Sequence, residues 1–499
     1  MNKTIAVIIV VIAVACIGIP PVIGALTERG LRTHADTLDA LTDSPYNVDV
    51  VEYDGGWFGS SARLEANLSD DYVQQLVATA TADGDPGAAI AGLLIQSLLG
   101  EPLPLAVEIT HGPVLTNDGL SVGIVGTTIR PDPETAGMSA LLESLGIPYF
   151  FEARTVTNVV GDTSFSADVP EIEIGSPLGQ FHFSGLDVEG GFDLSEHGVD
   201  ASGDVAFLRV DAGIQGALDI ERLTFAADVE RYGSRLWFGD VDAGIGTISL
   251  EGYGAAGPLS VVLTDAGAEF DSETNDDDQL ITLEGGYYLD SLTSEGLADF
   301  DQQLVLADAR FDLALRDFSV EALEAYYEYS RLVAADPRSA PPLIPGVQDM
   351  LYLTLSTSPE IILGPAEFVW NGDPFAANVT INIDGSNLAP RDEFNMLDIR
   401  SMVDTMTISA YADLTEAMAS EIAEQVAQSQ IRSSAAADGT MIAEADLEVM
   451  AENQAIVMLL GLVSQGILIS TDDGYHSELD FSGGRLIVNG NEMPFGIPL

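Results

Sequence analysis

The sequence predicts a mainly β protein with some helix (α+β), in which an N-terminal transmembrane helix is followed by an elongated, largely antiparallel β domain. Three observations carry this. The chain opens on a run of 22 residues without charge, Thr4 to Ala25. From Leu103 to about Leu315, short alternating runs such as LAVEITHG, VEGGFDLSEHGV and QLITLEGGYYL are separated by Gly, Asp, Asn and Ser. No long amphipathic helix lies between those runs, so their neighbours are expected to pair antiparallel, without the crossover helices that a parallel sheet needs.

The opening run, Thr4-Ile5 through Ala25, would measure about 33 Å as a helix, against a bilayer core of ~30 Å. Apolar character continues past Cys16 through Ile17, Ile19, Val22 and Ile23, which favours an uncleaved anchor over a signal peptide. Ala13-Val14-Ala15-Cys16 partly matches a lipoprotein cleavage box, and Pro20-Pro21 would kink the helix in its last third. The amino terminus and Lys3 precede the run, while Arg29 and Arg32 follow it among Glu28 and Asp36. That near balance leaves orientation to the acidity of the remaining chain and to the lack of a second span read from the sequence. The expected location is the bacterial inner membrane, single-pass, with the C-terminal part in the periplasm. The expected organisation is 1–27 for the cytoplasmic tip and anchor, 28–315 for a first β-rich region, and 316–499 for a second α+β region continuous with it or separate.

Beyond the anchor, Leu26 to Leu41 suits a short helix leading off the membrane. NVDVVEY (47–53), the Asp54-Gly55-Gly56 turn and the return from Trp57 to Leu68 read as a hairpin, with Ala62, Leu64, Ala66 and Leu68 on one side. Helical segments are expected near 71–99, 319–335 and 414–466, the first broken at Gly84-Asp85-Pro86-Gly87 and the last split by IRSSAAADGT. In the middle one, Val320, Leu323, Tyr327 and Leu332 fall near one stripe. Strands are expected at 351–356, 367–370 and 378–383, and two close the chain near 466–469 and 484–489. Val210-Asp211-Ala212-Gly213-Ile214 recurs as Val241-Asp242-Ala243-Gly244-Ile245, which hints at stacked β units.

Three short motifs carry a resemblance. They are the turn Tyr53-Asp54-Gly55-Gly56-Trp57-Phe58, the strand end His111-Gly112-Pro113, and the terminal Gly484-Arg485-Leu486-Ile487-Val488-Asn489-Gly490. Together they resemble the YdgA-like family of bacterial envelope proteins over essentially the whole chain. The resemblance implies a membrane-anchored protein of Gram-negative bacteria and no particular reaction, so Tyr53, Gly56, Trp57, Phe58, His111, Gly112, Pro113, Asn489 and Gly490 are motif positions without an assigned role. The chain departs from the family pattern in its near-total lack of lysine.

Charge narrows the classes further. Acidic residues number 79 against 18 basic ones, a formal net charge of −61, and the only lysine is Lys3. Such a surface repels phosphate backbones and anionic headgroups, which disfavours nucleic acid as a partner and membrane docking by charge. At 1 M salt, where the Debye length is about 3 Å, the self-repulsion largely disappears, and this points to salt adaptation. The competing reading is divalent-cation binding. The run Asp271, Glu273, Asn275, Asp276, Asp277, Asp278 begins like a calcium loop but has Asp276 where the glycine belongs and Thr282 where the bidentate glutamate belongs, so it reads as a hairpin tip.

The chemistry of most enzyme classes is missing. Lys3 beside the anchor leaves no lysine for a P-loop, a Schiff base or a serine–lysine pair, and Cys16 alone forms no disulfide or zinc cluster. The histidines at 34, 111, 182, 197 and 476 are scattered. His111 is read as closing its strand with a backbone bond, and the aromatic pairs Trp57-Phe58 and Trp237-Phe238 as core anchors. No catalytic residue, metal ligand or cofactor is therefore assigned. The expected function is that of a non-enzymatic scaffold or partner-binding protein of the cell envelope, with the lipid bilayer and an envelope protein as partners. The alternative is binding or transport of a lipid or other amphiphile along an apolar β groove, for which Leu93–Leu99 and Leu459–Leu468 supply apolar surface. A third, an envelope hydrolase, would need a compact His-acid-nucleophile cluster. Oligomeric state is not encoded in any of these signals.

Overall fold

The computed structural model describes Arg29 and residues 46–493 apart from 57, 69–72, 75–76, 79–101, 112–123, 133–135, 159–160, 177–178, 194–197, 214–215, 233–235, 255–256, 276–278, 297–303, 336–342, 396–397, 399–402 and 439–441. The expected anchor with Thr4, Ile5 and Ala25, most of the expected helical segment 71–99, and Trp57, Gly112 and Pro113 lie outside the described residues. What is described is mainly antiparallel β sheet with a few helices. It gathers into two compact units, with chain segments Met1–Asp211, Thr224–Arg231 and Arg331–Arg338 in one and Ala212–Leu223, Tyr232–Ser330 and Ser339–Leu499 in the other.

The first unit is a meander. Strands β1 (Tyr46–Gly55), β2 (Gly59–Leu68), β3 (Leu103–His111), β4 (Val125–Pro131) and β5 (Glu152–Thr157) pair antiparallel in chain order, with helix α1 (Ala136–Leu145) between β4 and β5. The next five strands are β6 (Thr163–Val169), β7 (Ile172–Ser176), β8 (Gly179–Phe183), β9 (Leu186–Asp193) and β10 (Gly198–Asp211). They amount to three long strands. The register between β10 and β9 continues without slippage between β10 and β8, and that between β6 and β9 continues between β7 and β8. Pro170, which has no N–H to donate, interrupts one long strand, and Gly185 interrupts the next. Gly185 has φ +102°, and a Cβ there would sit 2.7 Å from the Val169 carbonyl oxygen, so glycine is required.

Alternation sets the core of this unit. Ala62, Leu64, Leu105, Val107 and Ile109 are buried on one face, with Val48, Val50, Tyr53, Ala66 and Ile129 packed against them. Val107 faces Ala62 and Ile129 directly, and its full burial contributes about 1.5–3 kcal/mol. The reverse face carries charge: Arg63 and Arg130 flank Ala106, Arg63 Nε donates to buried Asp132 at 2.8 Å, and Arg130 pairs with Glu108 at 2.7 Å.

Strand β11 (Gly216–Tyr232) divides its residues between the units. The second unit is another meander with longer strands: β12 (Leu236–Gly254), β13 (Gly257–Thr274), β14 (Leu280–Glu295), β15 (Leu304–Ser319), β16 (Glu360–Trp370), β17 (Asp373–Ile383) and β18 (Met406–Thr415) pair in sequence. Strand β20 (Gly474–Ser482) follows β18 in the sheet, and its other edge takes β19 (Ile469–Ser470) and β21 (Arg485–Val488), the latter paired with β22 (Asn491–Met493). Of the acidic run expected at a hairpin tip, Asp271 and Glu273 lie within β13, Asn275 Oδ1 accepts from the backbone N–H groups of Gln279 and Leu280 ahead of β14, and Asp276, Asp277 and Asp278 lie outside the described residues.

Helices α2 (Val320–Ala335) and α3 (Leu343–Ser356) join β15 to β16, and α4 (Glu416–Asp438) and α5 (Glu444–Ser464) join β18 to the last strands. Ser319 Oγ caps α2 by accepting from the Ala322 N–H. Its buried positions are Val320 and Ala322, whereas Tyr327, expected on the apolar stripe, is exposed. Residues 351–356, expected as a strand, form the last turns of α3; their β-prone LYLTLS pattern yields to the helix begun at Leu343. The second helical block is two helices as expected, but the first runs further: residues 431–438 of the polar segment continue α4, since their serines and alanines have nothing in them that stops a helix. Between α4 and α5 the seam is made of small residues: Ala419, Ala423 and Ala427 meet Ala451, Ala455 and Leu459. The recurring Val-Asp-Ala-Gly-Ile sequence is not a structural repeat, because the second copy lies inside β12 and the first crosses the end of β10.

Candidate functional site

The motif residues of the first unit come together. Tyr53 near the end of β1, Gly56 in the turn and Phe58 before β2 stand beside the end of β3, where the backbone N–H of His111 donates to the Phe58 carbonyl at 2.9 Å. That bond comes from the main chain, and no hydrogen bond from the His111 ring to backbone is found among the described residues. Its ring is more unusual than expected: it is 2 % exposed, Nε2 lies 3.4 Å from Ser60 Oγ, and Nδ1 has no hydrogen-bond partner among the described residues. Burial pushes its pKa below the ordinary histidine value. A Ser-His contact whose imidazole meets no orienting acid among the described residues does not by itself make the three-part cluster a hydrolase would need.

Asn489 and Gly490, in the second unit, both have positive φ and form the turn between β21 and β22. The Asn489 side chain does more than turn the chain. Its Oδ1 accepts from the Glu478 N–H, and its Nδ2 donates to the carbonyls of Gly466 and Ile467, tying the sheet to the segment that leaves α5.

The largest organised surface was not assigned from the sequence. In the second unit, one face of the sheet carries unbroken cross-strand rows of apolar residues. Val241, Phe270, Gly285, Leu313, Leu363, Val379, Ala410, Leu479 and Val488 stand directly opposite one another from β12 to β21. A parallel row runs Leu283, Leu315, Ile361, Ile381, Ile408, Phe481, Leu486. A third includes Ala243, Ala268, Tyr287, Phe311, Ala366 and Ala377. Gly285 is glycine because a Cβ would overlap the Glu269 carbonyl and the Phe270 ring.

At one end the α4–α5 pair covers this face, with Leu414 and Tyr475 packed under Ala419, Ala423, Ala455 and Leu459. Over β12–β15 the face is open: Trp237 is 45 %, Tyr287 54 % and Phe311 39 % exposed. Phe270 and Tyr287 meet edge to face with centroids 5.4 Å apart. The expectation that the aromatic pairs anchor the core is therefore corrected for Trp237, and for Phe58, which is also exposed. Alternation placed Trp237 on the apolar face, but nothing among the described residues buries that face there.

The reverse face is acidic. Asp240, Asp271 and Glu284 stand opposite one another, as do Asp242 and Glu269. Arg310 and Arg316 answer part of this charge, Arg310 with Asp312 and Arg316 with Glu284 and Glu360, around a cavity of about 540 Å³ over Gly286 and Tyr288. These carboxylates raise both guanidinium pKa values further. Among the described residues no group of three His, Cys, Asp or Glu is placed to hold a metal ion. Chemically, the sheet offers an apolar ledge backed by a charged surface.

Comparison with known proteins gives one family. A model described as bacterial protein of unknown function (DUF945) matches residues 1–495. No curated protein and no solved structure matches the chain.

Proposed function

This chain belongs to the DUF945 family of bacterial proteins, and we propose that it is a non-enzymatic envelope protein that binds an amphiphile along the apolar face of the sheet in its second unit. The three motifs support a YdgA-like reading, under which the chain has an N-terminal anchor in the inner membrane and the remainder in the periplasm. A salt-rich surrounding fits its charge. The observation that carries the binding reading is the open apolar face over β12–β15, where Trp237, Tyr287 and Phe311 are left exposed on a face that elsewhere packs under α4 and α5. An exposed apolar patch on an otherwise charged protein marks a contact surface, and acyl chains match rows of Ala, Leu and Phe that offer no hydrogen bonds.

The test is native mass spectrometry with lipid extraction on the full chain, purified in high salt and exchanged through detergent, beside a Tyr287→Glu/Phe311→Glu variant. Lipid retained in fixed ratio by the parent and lost from the folded variant supports the reading. Equal lipid content in both would refute it and return the scaffold reading, in which an envelope protein is the partner.

A further inference from the structure

A second surface stands apart from that ledge. Helix α5 runs from Glu444 to Ser464, and its span Asp446–Ser464 is, by length and composition, the one helix among the described residues apolar enough to cross a membrane. The chain was not expected to carry such a segment after residue 27. Only 22 % of its apolar window is buried, so it is not a core helix. Its inner stripe, Leu447, Ala451, Ala455 and Leu459, is used up against α4. The outer stripe is bare: Val457 is 68 % and Leu460 64 % exposed, and Ile456 stands beside them.

We infer that this outer stripe docks on the apolar interface of a lipid bilayer, with α5 lying along the membrane surface and not crossing it. Charge distribution identifies the occupant. From Asn453 to Thr471 there is no Asp, Glu, Lys or Arg, in a chain where 19 % of residues are charged. A protein interface keeps a charged or polar rim around its apolar centre, whereas a bilayer excludes charge from every side that enters it.

The apolar surface also runs past the helix onto β19, where Ile469 is exposed. A second copy pairing helix to helix would leave that residue in water. Crossing is prevented by the tether at the helix end, where Asn489 Nδ2 holds the Gly466 and Ile467 carbonyls against the sheet. With no basic residue in the segment, attachment draws on apolar burial alone and gains nothing from anionic lipid.

The experiment uses the full chain with Cys16→Ser, carrying one new cysteine by Val457→Cys, Leu460→Cys or, on the exposed polar face of β18, Ser409→Cys. Each protein is labelled with an environment-sensitive fluorophore and reconstituted in phosphatidylcholine vesicles with or without nitroxide-bearing phosphatidylcholine. Labels at 457 and 460 are expected to shift to the blue and lose most of their emission to the nitroxide lipid, while the label at 409 is unchanged. Circular dichroism confirms that each labelled protein is folded, and two independent positions guard against one failing. Unquenched labels at both positions in vesicle-bound protein overturn the inference. Energy transfer between labels on separate chains, with no quenching, also overturns it and assigns the stripe to a second copy.

Discussion

Replacing His111 by leucine should stabilise the first unit at neutral pH. The imidazole is enclosed by the apolar face of β2–β4, and its Nδ1 meets no partner among the described residues, which costs about 1–3 kcal/mol as an unsatisfied buried group. Against this stands the loss of one long contact, Ser60 Oγ to Nε2 at 3.4 Å, whose contribution is at the low end of about 0.5–1.5 kcal/mol. Leucine fits a site of that volume at a repacking cost below about 1.5 kcal/mol. The expected balance is a gain of about 1 kcal/mol, or roughly fivefold slower opening of the strands.

The pH dependence follows from the direction of the shift. Because the folded pKa of His111 lies below its unfolded value, the unfolded chain takes up the proton first. The stability tied to the neutral ring is therefore present above about pH 6.5 and declines as pH falls through the folded pKa. Leucine abolishes that decline. Hydrogen exchange of peptides from β2 and β3, corrected for intrinsic rates, at about pH 7.5 and about pH 5.5 reads both effects in this unit alone. Faster exchange in His111→Leu at neutral pH, or an unchanged pH dependence, would refute the reasoning and mark the ring as a group that the fold maintains for a purpose.

Three further outcomes are expected. Asn489→Ala should cost about 2–3 kcal/mol, from a positive φ of 50° and the lost side-chain bonds, while Asn489→Gly recovers only the conformational part; exchange rates at the end of α5 separate the two. Ala451→Leu should destabilise by about 1–3 kcal/mol, because Ala451 and Ala427 are fully buried in a seam without room, and thermal unfolding should show a lowered midpoint. Asp271→Asn should stabilise the sheet of the second unit by about 0.2–1 kcal/mol in dilute buffer, since Asp271 faces both Asp240 and Glu284, and the gain should vanish near ~1 M salt in parallel denaturant titrations.

The sequence carried the sheet more clearly than the site. Alternation at Ala62 and Leu64 placed the first hairpin and its buried face correctly, because a period of two reports burial directly. The same signal failed at 351–356, where a β-prone run finishes a helix that starts upstream, and at 406–413, where β18 went unassigned ahead of the helical block expected from 414. Trp237 shows why the ledge was hidden. Alternation tells which residues share a face, but only tertiary structure tells whether anything lies on that face. His111 was legible as a motif position, while the contact of its Nε2 is with Ser60, 51 residues away. The role of Asn489 was likewise out of reach, since the carbonyls it holds belong to a helix end more than 20 residues earlier.

The meander has a consequence for how such a protein can change size. In both units nearly every strand lies beside the one that precedes it in the chain, so inserting or deleting a hairpin disturbs two neighbours and rewires nothing else. Each apolar row would gain or lose two residues with that hairpin and keep its alignment, because the register of the remaining pairs is set locally. The ledge is in this sense a ruler graduated in strands, about 4.8 Å apiece, and its span can be tuned by gene-level duplication or loss of a single turn.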